Sequence, residues 1–153
     1  MATFPPGVIQ AAVRSAQTWH IPASVTLAQW ALESDYGKAM PPGSNNPFGI
    51  KAKAGEAYVL ASTREVVNGK SIEVNAKFRK FFSLDNAFDD HGRLLATCPA
   101  YLAAQRVRND ANAFADALTG VYATDPHYGW KLKTIMQGNN LYQYDAPTGK
   151  TST

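Results

Sequence analysis

The sequence predicts a mainly α (α+β) fold, a helical body with one small β-hairpin inserted near its middle. Three observations carry that expectation. Apolar residues recur every three to four positions on both sides of the chain's centre, the spacing of one helix face. Between these stretches lies Asn68-Gly69, the dipeptide that suits the tight turn joining twisted antiparallel strands. After it, Ile72, Val74, Ala76 and Phe78 alternate with Ser71, Glu73, Asn75 and Lys77, the periodicity of a strand.

Each element can be justified in order. Pro5 and Pro6 open a first helix whose apolar positions are Val8, Ile9, Ala12, Val13, Ala16 and Trp19. His20-Ile21-Pro22 breaks it. Ser24 is a good N-cap for a second helix through Val25, Ala28, Ala31 and Leu32, with Gly37 as its stop. Residues 38–51, KAMPPGSNNPFGIK, are rich in Pro, Gly and Asn and read as a loop. Ser62 to Val67 and Lys70 to Phe82 form the hairpin. Its short turn sets Val67 opposite Lys70, Arg64 opposite Glu73 and Glu65 opposite Ile72. A third helix carries Leu84, Ala87, Phe88, His91, Leu94 and Leu95 on one face and ends at Pro99. Shorter helices cover Ala100 to Arg106 and Ala111 to Leu118, and a last one runs from Pro126 to Met136. Residues 1–145 make one domain, and the small polar tail 146–153 is expected to be disordered.

Composition narrows the function. The chain has 153 residues, 45% of them hydrophobic, enough for one core and not two. No apolar run is long enough to span a membrane, and the first residues do not read as an export signal. A single cysteine, Cys98, cannot staple the fold, and it reads as a small buried filler. Fifteen Lys and Arg against 12 Asp and Glu give a net charge of +3, spread along the chain. That suits an anionic partner, but it lacks the basic stripe of a nucleic-acid binder. His20, His91 and His127 have no metal-ligand spacing, no glycine-rich phosphate loop occurs, and no nucleophile elbow is present. No metal and no cofactor are expected.

Carboxylates beside aromatic loops remain. Glu33 falls in the last turn of the second helix, on a face with Thr26, Gln29 and Trp30 that neighbours the buried stripe. The negative end of the helix and nearby apolar groups both raise its pKa, the direction a general acid needs. Position alone does not separate it from an ordinary solvated helix glutamate. Glu65 shares a hairpin face with Ile72; either a wet cleft lies beneath the hairpin or the strand twists Glu65 out to solvent. Asp125 and Pro126 fit a helix start, while Tyr122, Tyr128 and Trp130 are flat rings with polar tips, suited to sugars but equally at home in a core. His91 reads as a satisfied core residue, and Asp89, Asp90 and Asp110 as solvated charges.

With these residues in place the chain resembles the family 73 glycoside hydrolases, the endo-β-N-acetylglucosaminidase domains of bacterial autolysins and flagellar peptidoglycan hydrolases. The likeness runs in order through PASVTLAQWALESDYG, NNPFGIK, STREVVNGKSIEVNAKFRKF, SLDNAFDDHGRLL and YATDPHYGWKL, from Ile21 to Tyr144. It implies a lysozyme-like α-lobe with a small hairpin lobe and a glycan groove between them. The implied activity is cleavage of β-1,4 bonds in peptidoglycan, after N-acetylglucosamine, by a monomer that inserts in no membrane and binds no nucleic acid. The resemblance casts Glu33 as the acid, Glu65 as the base and Tyr122 as a residue that orients substrate or steadies developing positive charge. Asn46, Phe48, Asp125, Tyr128 and Trp130 are its candidate substrate-binding residues. The alternatives are a muramidase or lytic transglycosylase on the same scaffold, or a glycan-binding protein without turnover. Without a visible signal, the wall would be reached through a phage holin, a virion or a secretion system.

Overall fold

The structure, a computed structural model, describes residues 4–146; the expected tail lies outside them except for Ala146. Helix α1 spans Pro6–Trp19 and ends on His20, which takes the left-handed conformation. Helix α2 spans Ala23–Ser34. Strands β1 (Tyr58–Val67) and β2 (Lys70–Arg79) form the hairpin. Helix α3 covers Leu84–Thr97, α4 Leu102–Gln105, α5 Ala111–Ala117 and α6 Tyr128–Gly138. A 3-10 turn precedes α4, and another closes the described chain at Leu141–Tyr144.

The hairpin register is the expected one: Val67 pairs with Lys70, Arg64 with Glu73 and Glu65 with Ile72. Asn68 and Gly69 both have positive φ (52° and 77°), as a primed two-residue turn requires. The strands differ in extent. β1 begins four residues before Ser62, and β2 stops at Arg79, so Phe82 lies beyond it and is exposed. The added residues of β1, Tyr58 to Ala61, pair with Ala76 to Arg79 of β2, and residues 44–52 run alongside the β2 side of the hairpin base. Ala52 N–H donates to the Lys77 carbonyl, Arg79 N–H to Ile50 and Phe81 N–H to Ser44. Buried Phe78 and Phe81 fix that base, whereas Val66, Val67 and Ile72 near the tip stay exposed.

The second helix departs most from expectation. From Ala23 to Ala31 every residue is buried, including Thr26, Gln29 and Trp30, so α2 has no exposed face along that length. It packs against α1, α5, α6 and the last 3-10 turn, and a helix so enclosed is the core of the body. Ser24 is accordingly not the N-cap. Pro22 holds that position, and Ser24 donates through its N–H and Oγ to the Asp145 carboxylate, tying the chain end to α2. The helix stops at Asp35, itself left-handed, two residues before Gly37.

Four smaller corrections remain. The expected helix over 100–106 is a 3-10 turn from Pro99 to Tyr101 followed by one short α-turn, Leu102–Gln105. α6 starts at Tyr128 rather than Pro126, because Asp125 Oδ1 accepts from His127 N–H and holds a turn there. The aspartates expected to be merely solvated are engaged: Asp90 bridges Arg79 and Arg93, Asp89 accepts from Trp19 Nε1, and Asp110 caps α5. Cys98 is half-buried rather than a buried filler.

Candidate active site

A groove of about 850 Å³ opens between the helical body and the hairpin, and among the described residues Glu33 is the one acidic side chain on its wall. Lys38, Lys51 and Lys53 line it too, along with Ala61, Ser62 and Thr63 of β1 and Tyr101 and Tyr122 of the body. The positive excess of the chain is thus locally concentrated where a polymer would lie.

Glu33 reaches the groove because α2 runs through the core and releases its last turn at the wall. Burial raises its pKa above the ordinary carboxylate value; a hydrogen bond from Tyr128 opposes that rise without cancelling it. Tyr128 Oη donates to Glu33 Oε2 at 2.8 Å. Tyr128 Oη in turn accepts from Gln29 Nε2 at 2.9 Å, and Gln29 Oε1 lies 2.8 Å from His91 Nε2. A continuous buried chain therefore leads from α3 through α2 and α6 to the carboxyl. Tyr128→Phe removes the donor to Glu33 and is expected to raise the Glu33 pKa further. A carboxyl-carbon NMR titration checks this, and an unmoved or lowered midpoint would contradict it.

Tyr122 stands beside this pair. Its ring stacks on Tyr128 at 5.9 Å and 8°, and its hydroxyl donates to the Phe48 carbonyl at 3.1 Å rather than to Glu33. Burial, with the nearby Glu33 charge next, raises its pKa well above that of a free phenol, so it is neutral across ordinary pH. The phenol that touches the acid is Tyr128, which the sequence offered as a sugar platform or a core ring but not as a partner of Glu33.

The other expected positions divide. Phe48 and Tyr128 are each 2% exposed, so neither ring has a face free for a sugar. Phe48 stacks on His91 at 4.0 Å and meets Phe88 edge-on at 4.8 Å. Trp130 is 64% exposed but is not among the groove-lining residues. Asn46 lies at the wall, yet its amide is committed to the loop: Nδ2 donates to the Ile50 and Arg79 carbonyls, and Oδ1 accepts from Phe48 and Ile50 N–H. Asp125 pairs with Lys131 and holds the turn before α6, away from the groove lining.

Glu65 lies farther out. Ala61 and Thr63 line the groove, and a strand's period of two puts Glu65 next on that face, beyond the rim. Its side chain is 45% exposed, and Lys51 Nζ lies 3.7 Å from Oε2. The hairpin face thus borders the groove through Ala61 and Thr63, and Glu65 itself reaches solvent. Among the described residues no group of His, Cys, Asp or Glu has a metal-binding arrangement, and no helix is long and apolar enough to cross a membrane.

The model of the family described as mannosyl-glycoprotein endo-beta-N-acetylglucosaminidase matches residues 9–141. The exo-glucosaminidase LytG of Bacillus subtilis is 33% identical over 135 residues, covering 84% of this chain and 48% of that protein. A probable N-acetylmuramidase of Lactococcus lactis subsp. cremoris is 35% identical over 141 residues, covering 85% and 32%. A crystal structure of a peptidoglycan hydrolase mutant from Sphingomonas sp. A1 superposes with a TM-score of 0.78 at 36% identity, over 90% of this chain and 93% of that one. The chain spans about half the length of the first of these curated relatives, and less of the second.

Proposed function

The chain belongs to the mannosyl-glycoprotein endo-beta-N-acetylglucosaminidase family, and from that premise we propose that residues 1–145 are a catalytic unit hydrolysing β-1,4 glycosidic bonds of peptidoglycan. The observation that carries the reading is Glu33, a carboxyl whose pKa burial raises, on the wall of a groove of about 850 Å³ between the helical body and the hairpin.

In the proposed reaction Glu33 gives its proton to the glycosidic oxygen as the C1–O bond breaks. A water molecule attacks C1, and its proton passes to Glu65. Glu65 then releases that proton to solvent and Glu33 takes one up, which restores both carboxyls. A buried acid whose pKa is raised keeps its proton nearer to neutral pH, as a general acid must. Glu65, on a hairpin anchored only at its base, reaches C1 when the hairpin bends over the bound strand. The sugar's own N-acetyl oxygen can take the attacking role instead, so Glu65 contributes without being indispensable. Glu65→Gln is expected to lower the turnover of purified peptidoglycan by about tenfold, less than the roughly 10²-fold or more that an indispensable general base supplies, because the N-acetyl oxygen substitutes for it. Undiminished turnover would remove Glu65 from the mechanism.

The groove lysines favour a substrate carrying carboxylates, and the wall glycan bears them on its lactyl and peptide substituents. We place the site of action at the bacterial wall. Digestion of purified peptidoglycan, with mass spectrometry of the new reducing ends, tests both activity and bond. N-acetylglucosamine at those ends supports a glucosaminidase. The likeness to a probable N-acetylmuramidase favours a second reading, for which muramic acid, or its anhydro form, would appear there. Intact glycan with retained binding would leave a carbohydrate-binding module.

A further inference from the structure

The proposed mechanism leaves one buried titratable side chain without a role. His91 lies on α3, fully enclosed, with its ring against Phe48. Its Nε2 meets Gln29, and its Nδ1 has no partner among the described residues. Burial pushes its pKa down to about 3, so the ring is neutral and carries one proton. Where that proton sits follows from the surroundings. On Nδ1 it would be a buried donor with no acceptor, an expensive arrangement; on Nε2 it meets Gln29 Oε1. The Nε2–H form therefore prevails.

The consequence propagates. Gln29 Oε1 accepts from His91, so the amide NH₂ must face Tyr128. The Tyr128 oxygen accepts that bond, so its single proton points to Glu33 Oε2. Oε2 thereby accepts whether Glu33 is ionised or not, and because a carbonyl oxygen accepts better than a hydroxyl oxygen, a neutral Glu33 favours its proton on the other oxygen. We propose that His91 is a positioning residue that acts through Gln29 and Tyr128 to confine the acid proton of Glu33 to Oε1, the oxygen that Tyr128 leaves free for the glycosidic bond. Without a donor at position 91 the Gln29 amide is free to turn over. Tyr128 can then donate to Gln29 and accept from Glu33, which ties the proton up inside the protein. This inference rests on Glu33 being the general acid.

The test compares His91→Leu with His91→Gln. Both lose the ring stack on Phe48, but glutamine keeps an N–H donor at the position of Nε2. His91→Leu should lose about tenfold in kcat, the worth of one directed hydrogen bond. KM should be unchanged, since neither His91 nor Gln29 lines the groove. His91→Gln should recover most of that kcat at a similar melting temperature. In a Tyr128→Phe background the chain is already cut, so the difference between leucine and glutamine should vanish. Equal kcat for the two variants, or a difference that persists without the Tyr128 hydroxyl, overturns the proposal. If His91→Leu does not fold, Gln29→Met takes its place: the same kcat loss is expected, and wild-type kcat counts against the chain. Soluble fragments prepared from peptidoglycan serve as substrate, with Glu33→Gln assayed alongside. Turnover by Glu33→Gln defeats the acid assignment and this inference with it. An inactive Glu33→Gln beside equal position-91 variants defeats the inference alone.

Discussion

Replacing Glu33 with glutamine should lower hydrolysis of purified peptidoglycan by about three orders of magnitude while leaving the protein as stable as the wild type, or more so. Loss of rate follows from loss of the one carboxyl that the described residues bring to the groove wall, and acid–base catalysis by one side chain is worth about 10²–10⁴-fold. The stability half follows from the pKa. Burial raises Glu33 above its ordinary value of 4.5, so the folded state holds on to a proton that the unfolded chain gives up. Below the unfolded value both states are protonated and no cost arises. As pH rises from there through the folded value, the unfolded state ionises more readily, and stability falls. Glutamine does not titrate, and it can still accept from Tyr128 through its amide oxygen. The difference in melting temperature should therefore favour Glu33→Gln at pH 7 and disappear near pH 3. A variant that is inactive because it is unfolded, or one that retains turnover, would contradict the assignment.

Much of this arrangement was legible in the sequence because it is local. Hairpin register follows from a two-residue turn, and Asn-Gly fixed both the turn and the facing pairs. The position of Glu33 in the last turn of its helix followed from spacing alone. What was not legible depends on how elements surround one another. The second helix reads as amphipathic, with Gln29 on the face of Glu33, one turn away. That spacing is real, but the face is enclosed by α6 and α3, so what looked like a wet edge is a buried polar chain. The same enclosure reverses the roles of the aromatic residues. Tyr128 is drawn into the core, where its hydroxyl needs partners and finds Gln29 and Glu33. Trp130, two residues along the same helix, points elsewhere and stays exposed. No periodicity distinguishes a ring that carries a hydrogen bond inward from one that offers its face to a sugar. Asn46 is a similar case, since its four amide contacts involve residues up to 33 positions away.

The core beneath the site should be as sensitive as the site itself. Phe88 is fully buried on α3, edge-on to Phe48, and its carbonyl accepts from Ser15 Oγ on α1. Around it α1 and α3 approach closely enough that a Cβ at Gly92 would collide with Ser15 and Trp19, so the backbone has little room to collapse into a void. Phe88→Ala is therefore expected to cost about 3–5 kcal/mol, the range for truncating a buried phenylalanine. For a domain of this size that lowers the melting temperature by about 10–15 °C. The loss should also reach the groove. Phe48 is held between Phe88 and His91, and its carbonyl receives the Tyr122 hydroxyl, so a cavity behind Phe48 loosens the wall that carries both tyrosines. Below its melting transition Phe88→Ala should consequently lose activity as well as stability, whereas Phe88→Leu, which refills most of the space, should keep activity at a smaller thermal cost. Thermal unfolding measured together with peptidoglycan turnover separates the two effects. Full activity in a Phe88→Ala protein with a strongly lowered melting temperature would mean that the groove wall holds its shape without this packing.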